Sequence, residues 1–159
     1  MNNSSQSHEQ GEDPRLQMPY RPQSLKGVRL RSHADYQRAY AAARKRQSAS
    51  MSWFLAPRPA EGEKTLPGHA APPRVGLTAG KAVAGKAHER NRMKRRMREA
   101  LRRHLELLPA GFDLIFHPRR AVLTMEFAKL EAEVVRILAQ ARAEAKRLDR
   151  NPAASAAAS

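Results

Sequence analysis

The chain contains no cysteine, which excludes disulfides and thiolate metal sites together. No apolar run approaches the ~18 residues of a membrane span, and Met1 to Asp13 is polar and acidic, without the apolar segment of a secretory signal. Aromatic residues make up only 5% of the composition, so each ring stands out against a mainly aliphatic core. Acids are scarce beside bases: 15 Asp and Glu against 30 Lys and Arg give 159 residues a formal net charge of +15. That excess points to a polyanionic partner, nucleic acid first and an anionic membrane surface second. Arginine dominates the cations, which favours bidentate phosphate contacts over loose point charges. The expectation is a cytoplasmic protein of one domain with tails.

Catalytic constellations are also missing. A protein nuclease needs clustered carboxylates for metal ions, or a histidine beside an acid. Here the acids lie mainly in the N-terminal tail, a central loop and the last helix, and Glu126, Glu131 and Glu133 are expected on that helix's polar face. The six histidines show no HxxxH-type ligand spacing; His88 and His104, which flank a basic segment, are read as surface or partly buried side chains. No catalytic residue, protein-bound metal or small-molecule substrate is expected.

What is present is a dense run of cations. Arg90, Arg92, Lys94, Arg95, Arg96 and Arg98 fall within ten residues, and no glycine or proline interrupts Ala87 to Leu108. At about 100° per residue, Met93, Met97, Ala100, Leu101, His104 and Leu108 share an apolar stripe. Asn91, Lys94, Arg95, Arg98 and Arg102 gather on an adjoining stripe, with Arg92, Arg96 and Arg103 further round. Solvated helix faces usually mix signs, yet Glu89 and Glu99 are the only acids between Ala87 and Arg103. Like charges at i,i+4, such as Lys94 with Arg98, oppose helix formation unless an anion neutralises them. The spacing therefore predicts a helix that docks by its methionines and presents a polyphosphate-binding face.

The remaining elements follow from capping and periodicity. Residues 1–26 are polar and apolar-poor, and are expected to be a disordered tail. Ser32 has the form of a helix N-cap, and the helix to about Ala43 places Tyr36 and Tyr40 at i,i+4 on one face. Two such rings are read either as core or, among basic neighbours, as a stacking platform for single-stranded nucleic acid. Ser50–Ala56 alternates as a strand with Met51, Trp53 and Leu55 inward and Phe54 on the lighter face. Residues 57–73 form a Pro-rich connection expected to be a mobile hairpin loop. Arg74–Ala79 is a second strand. The Gly80–Lys86 segment joins it to the basic helix and carries Lys81 and Lys86, a weak phosphate-cradle signal without the GxxxxGK[ST] order of a nucleotide loop. Pro109 to Gly111 ends the basic helix, Phe112–His117 is a third strand, and Thr124 is the expected cap of a last amphipathic helix. Residues 27–148 are thus the folded domain and 149–159 a second disordered tail.

These residues leave an RNA-binding subunit, a structural RNA-binding protein such as a ribosomal protein, a lone nuclease and a membrane-surface binder in competition. A motif narrows the choice. Arg74-Val75-Gly76-Leu77-Thr78, then Lys81, then Ala87-His88-Glu89-Arg90-Asn91-Arg92-Met93-Lys94-Arg95 resembles the signature of the bacterial ribonuclease P protein component. Gly111-Phe112-Asp113-Leu114-Ile115-Phe116 with Pro118-Arg119-Arg120 is similar to the family's third strand and basic turn. The resemblance covers about Leu30 to Ala139. It implies an α+β fold, a compact α/β sandwich with a mixed sheet and a left-handed crossover through the basic helix, like the second domain of ribosomal protein S5. It further implies partnership with a catalytic RNA that removes the 5′ leader of precursor tRNA, with Mg2+ held by the RNA rather than by the protein. By the same resemblance, Arg90, Asn91, Lys94, Arg95 and Arg98 are expected to bind RNA. Arg92, Arg102, Lys81 and Lys86 are added to them from the basic surface. Tyr36, Tyr40 and Phe54 are expected to line a leader cleft, where stacking needs the tyrosine rings rather than their hydroxyls.

Overall fold

The computed structural model describes residues 24–58 and 71–150. Most of the two tails, and the centre of the Pro-rich loop, lie outside the described residues, and with them the expectations of disorder placed there. In chain order the elements are α1 (Leu25–Val28), α2 (His33–Ala42), β1 (Arg44–Gln47), β2 (Met51–Pro57), β3 (Arg74–Leu77), α3 (Ala87–Arg102), β4 (Phe112–Pro118) and α4 (Phe127–Arg150). Two 3-10 turns, Leu105–Leu107 and Arg120–Leu123, connect the later ones.

The sheet order is β1-β2-β4-β3, antiparallel except for the β3–β4 pair, so α3 is the crossover between two parallel neighbours. Strand alternation divides the interior into two cores. Met51, Trp53, Leu55, Val75, Leu114 and Phe116 meet Met93, Met97, Leu101, Leu130, Val134, Ile137 and Leu138 on one face. A smaller cluster, Leu30, Ala39, Ala56 and Ile115, lies under α2 on the other, with Tyr36, Tyr40 and Phe54 packed against it. Met93 and Met97 are fully buried; each contributes roughly 1.5–3 kcal/mol by leaving water. The methionine stripe is therefore the seam that fixes α3 to the sheet.

Several boundaries differ from the sequence reading. The basic helix ends at Arg102, and a 3-10 turn then carries Leu105 into the core. Thr124 closes the preceding 3-10 turn rather than capping α4, which starts at Phe127. Leu25 and Lys26, placed in the tail by composition, form the first half of α1, and Leu25 packs on the main core. Strand β1, Arg-Lys-Arg-Gln, was not expected; no apolar alternation marks it, and its pairing with β2 is what makes it a strand.

Glu133 is the sharpest departure. It is buried in α4, not on its polar face. The Ser48 hydroxyl (2.6 Å) and the Ser50 amide (2.8 Å) donate to its Oε1, and the Ser50 hydroxyl (2.5 Å) donates to its Oε2. Burial alone would raise this carboxyl, but the three donors outweigh it and hold the group below the usual carboxylate range. Its contribution is thus complete above the ordinary glutamate pKa and is lost as acidification passes the depressed folded value. Glu133→Ala strands three donors and should destabilise the fold by about 3 kcal/mol in urea titrations; an unchanged midpoint would show that the turn needs no clamp.

Gly76 sets the spacing between α2 and the sheet. A Cβ there would lie 2.7 Å from the Tyr36 ring and hydroxyl, so only glycine lets that ring lie on β3. Gly111, at φ 80°, makes the tight entry into β4, a conformation that other residues rarely adopt.

Candidate nucleic-acid interface

On α3 the two polar stripes have different surroundings. Arg96 donates to the Met125 carbonyl, Arg103 pairs with Glu131 at 3.1 Å, and Arg92 lines a groove with His88, Glu89, Arg120 and Thr124. This stripe faces α4 and the turn before it. Lys94, Arg95 and Arg98, on the other stripe, donate to no carboxylate or carbonyl among the described residues. Asn91 is exposed beside them, and Lys81 and Lys86 are exposed on the connection from β3. Arg102 is held by the Glu99 carboxylate at 2.7 Å, which also lowers the Glu99 pKa.

Arg90 has a different place. One of its terminal nitrogens donates to the carbonyls of Ala84 (2.9 Å) and Gly85 (3.0 Å), closing the loop that leads into α3. Sequence placed it with the outward cations; its geometry gives it a structural contact as well.

The face of the sheet under α2 carries the rings. Tyr40 meets Phe54 edge-on at 5.0 Å between centroids, and Tyr36 lies 6.2 Å from Tyr40. Both tyrosines and Phe54 are half-buried, so each is at once core and surface. Sequence reasoning missed the fourth member, His117. Its ring lies 4.9 Å from Phe54 and 5.5 Å from Tyr40, and the Tyr40 hydroxyl is 2.6 Å from its Nε2. The available signal was period two in β4, which puts His117 on the same face as Ile115. The Tyr40 hydroxyl therefore has a part in the fold, apart from any use of its ring in stacking.

Cations close both ends of this floor. A pocket of about 40 Å³ is lined by Tyr36, Arg29 and Arg98 with Leu25, Val75 and Leu77, and so joins the α2 rings to the α3 surface. At the far end Lys45 follows burial as a second cause depressing the His117 pKa. Both causes favour the neutral ring, which shares one hydrogen bond with the Tyr40 hydroxyl. Burial also raises the Tyr36 and Tyr40 phenols, so both stay protonated. The stability that neutral His117 provides is full above histidine's ordinary value near 6.5 and falls as pH drops towards its lower folded value. Unfolding titrations between about pH 7 and pH 5 should show this loss, and His117→Phe should remove that part of the slope. An identical pH profile in the variant would exclude the ring as its source.

The α2 helix is tied to this floor by Arg74. Its guanidinium grips Asp113 on β4 through Nε (2.7 Å) and a terminal nitrogen (2.8 Å), while the other terminal nitrogen reaches Asp35 in the first turn of α2 at 3.1 Å. Three more acids are paired in the same manner: Glu89 with Arg120, Glu131 with Arg103 and Glu144 with Arg46. Among the described residues, no group of three or more His, Asp or Glu is placed to hold a metal ion, and no helix is long and apolar enough to cross a membrane.

An exposed cationic helix beside a floor of half-buried rings is the arrangement that the signature motif implied. The family model for ribonuclease P matches residues 25–142. The chain belongs to the ribonuclease P protein family. Among curated relatives, the ribonuclease P protein component of a Synechococcus strain is 34% identical over 113 residues, covering 71% of this chain and 80% of the relative. That of Chloroflexus aggregans is 36% identical over 114 residues, with 71% and 76% covered. The fold matches solved ribonuclease P proteins. A Staphylococcus aureus mutant protein aligns with a TM-score of 0.59 at 23% identity, covering 74% of this chain and 90% of that one. The Thermotoga maritima protein aligns with a TM-score of 0.55 at 24% identity, covering 69% and 94%. Membership makes this chain a protein component of an endoribonuclease complex with an RNA partner, and sets aside the reading as a ribosomal structural protein.

Proposed function

We propose that this protein binds the catalytic RNA of ribonuclease P through α3 and holds the single-stranded 5′ leader of precursor tRNA over the α2 rings. The observation that carries the reading is the pocket shared by Tyr36 and Arg98, which makes the stacking floor and the cationic helix one continuous surface. Arg90, Asn91, Arg92, Lys94, Arg95, Arg98 and Arg102, with Lys81 and Lys86, meet phosphates; Tyr36, Tyr40 and Phe54, joined by His117, meet bases. Leader bases have free faces, whereas a duplex presents none. Hydrolysis at the mature 5′ end belongs to the RNA and its Mg2+, and the protein's carboxylates serve the fold. The setting is the cytoplasm, where precursor tRNA is processed.

Tyr40→Ala tests the leader assignment. It should weaken binding of precursor tRNA carrying a leader of several nucleotides by roughly 1–3 kcal/mol, about five- to hundredfold, and leave mature tRNA nearly unaffected. Tyr40→Phe keeps the ring and should retain leader preference, while losing about 1 kcal/mol of stability with its bond to His117. Equal losses for both RNAs, with a lowered melting temperature, would mark Tyr40 as core alone.

A further inference from the structure

A second donor-rich surface lies at the opposite edge of the sheet from β3. The groove between β1 and α4 is lined by Arg46, Gln47 and Trp53 from the hairpin and by Gln140, Ala143 and Arg147 from the helix, with Lys45 at its rim. Strand register places Arg44 and Arg46 on the α4 face, opposite Leu55 and Trp53. Glu144 is the one carboxylate in the lining, and it is already shared: 2.6 Å from Arg46 and 3.7 Å from Arg147. The Nε of Arg46 and the Nε1 of Trp53 are buried donors without an acceptor among the described residues, and Trp53 is only 2% exposed. Donors therefore outnumber acceptors here, which is the requirement of an anion carrying several oxygens.

The lining also limits what that anion is. A protein partner would need an apolar anchor, yet Ala143 is the only exposed apolar side chain among these residues. Pairing of β1 with the same strand of a second copy would set Arg and Lys against Arg and Lys, which opposes edge-to-edge association. Among the lining residues the one ring, Trp53, is buried, so none is exposed to stack a base. Arg136, Gln140, Ala143 and Arg147 recur along one side of α4, a line about 16 Å long, long enough for more than one phosphate.

We infer that the β1–α4 groove is a second RNA track, which takes the sugar–phosphate backbone without reading bases. It rests on the reading that this protein binds RNA, and adds a contact that shares no lining residue with α3 or the ring floor apart from Lys45 at the rim. The full-length chain should be titrated with oligouridylate across a salt series, following emission from Trp53, the only tryptophan. Arg44→Ala combined with Arg147→Ala should reduce the salt slope by about two, so that the double variant loses about tenfold less affinity than the native chain between about 50 and 200 mM salt. Ala143→Lys, an addition at an exposed helical site, should steepen the slope by about one. Oligouridylate should shift the emission of the native chain and of an α3-neutralised variant, with Lys94, Arg95 and Arg98 replaced by alanine, but not that of the double variant; orthophosphate at equal phosphate concentration should not. Native slopes in both groove variants would overturn the inference, as would an orthophosphate shift equal to that of the oligonucleotide. Unchanged slopes in the α3-neutralised variant would instead sink the proposed function.

Discussion

Replacing Lys94, Arg95 and Arg98 together by alanine will flatten the salt dependence of RNA binding while leaving the fold intact. With three phosphate contacts removed, the native chain should lose about forty-fold more affinity than the variant between about 50 and 200 mM salt, taking the duplex-DNA slope as a guide. The fold is spared because none of the three side chains holds another part of the described structure, and because repulsion between Lys94 and Arg98 disappears with them. The melting temperature should hold or rise slightly. Arg90 is left in place, since its removal would release the carbonyls of Ala84 and Gly85 and confuse lost phosphate contact with a loosened loop. Parallel salt slopes for native and variant chains would move the RNA to another surface.

Arg74→Ala should produce the largest loss of stability, about 3–5 kcal/mol, because it strands a carboxylate. Asp113 is only 3% exposed, and among the described residues Arg74 donates both of the side-chain hydrogen bonds it receives, with Arg58 acting on it at longer range. The same substitution leaves Asp35 with only Arg38 of its own helix, and so unties the first turn of α2 from the sheet. Precursor tRNA should then lose its leader-dependent advantage even in conditions where the sheet survives, because Tyr36 and Tyr40 ride on that helix. Denaturant titration beside leader-dependent binding separates the two effects. A variant of native stability would show that Asp113 finds another partner.

The parts of this protein legible in its sequence are those where one period persists. In α3, Met93, Met97, Ala100 and Leu101 repeat at helical spacing and are the residues that bury. In β2, Met51, Trp53 and Leu55 alternate and enter the main core. What escaped were elements defined by distant partners. Strand β1 is all cations and glutamine, and only its hydrogen bonds to β2 make it extended. Glu133 looks like any helical acid until Ser48 and Ser50 are brought to it across 83 residues and more. The end of α3 was overrun because no glycine or proline stops it at Arg102; the need to bury Leu105 and Leu108 turns the chain there instead. The ring floor was foreseen in Tyr36, Tyr40 and Phe54, but His117 belonged to no motif, and its role arises from a neighbour 77 positions away.

That long reach of Glu133 has a consequence for the order in which the protein is made. The β1–β2 turn emerges from the ribosome well before the carboxylate that seals it. A two-stranded hairpin is marginal by itself in water, and closing so large a loop costs entropy before any contact rewards it. Until α4 arrives, the basic strand has only its own neighbour to hold it, and the final helix acts as the clasp of a structure begun at the other end of the chain.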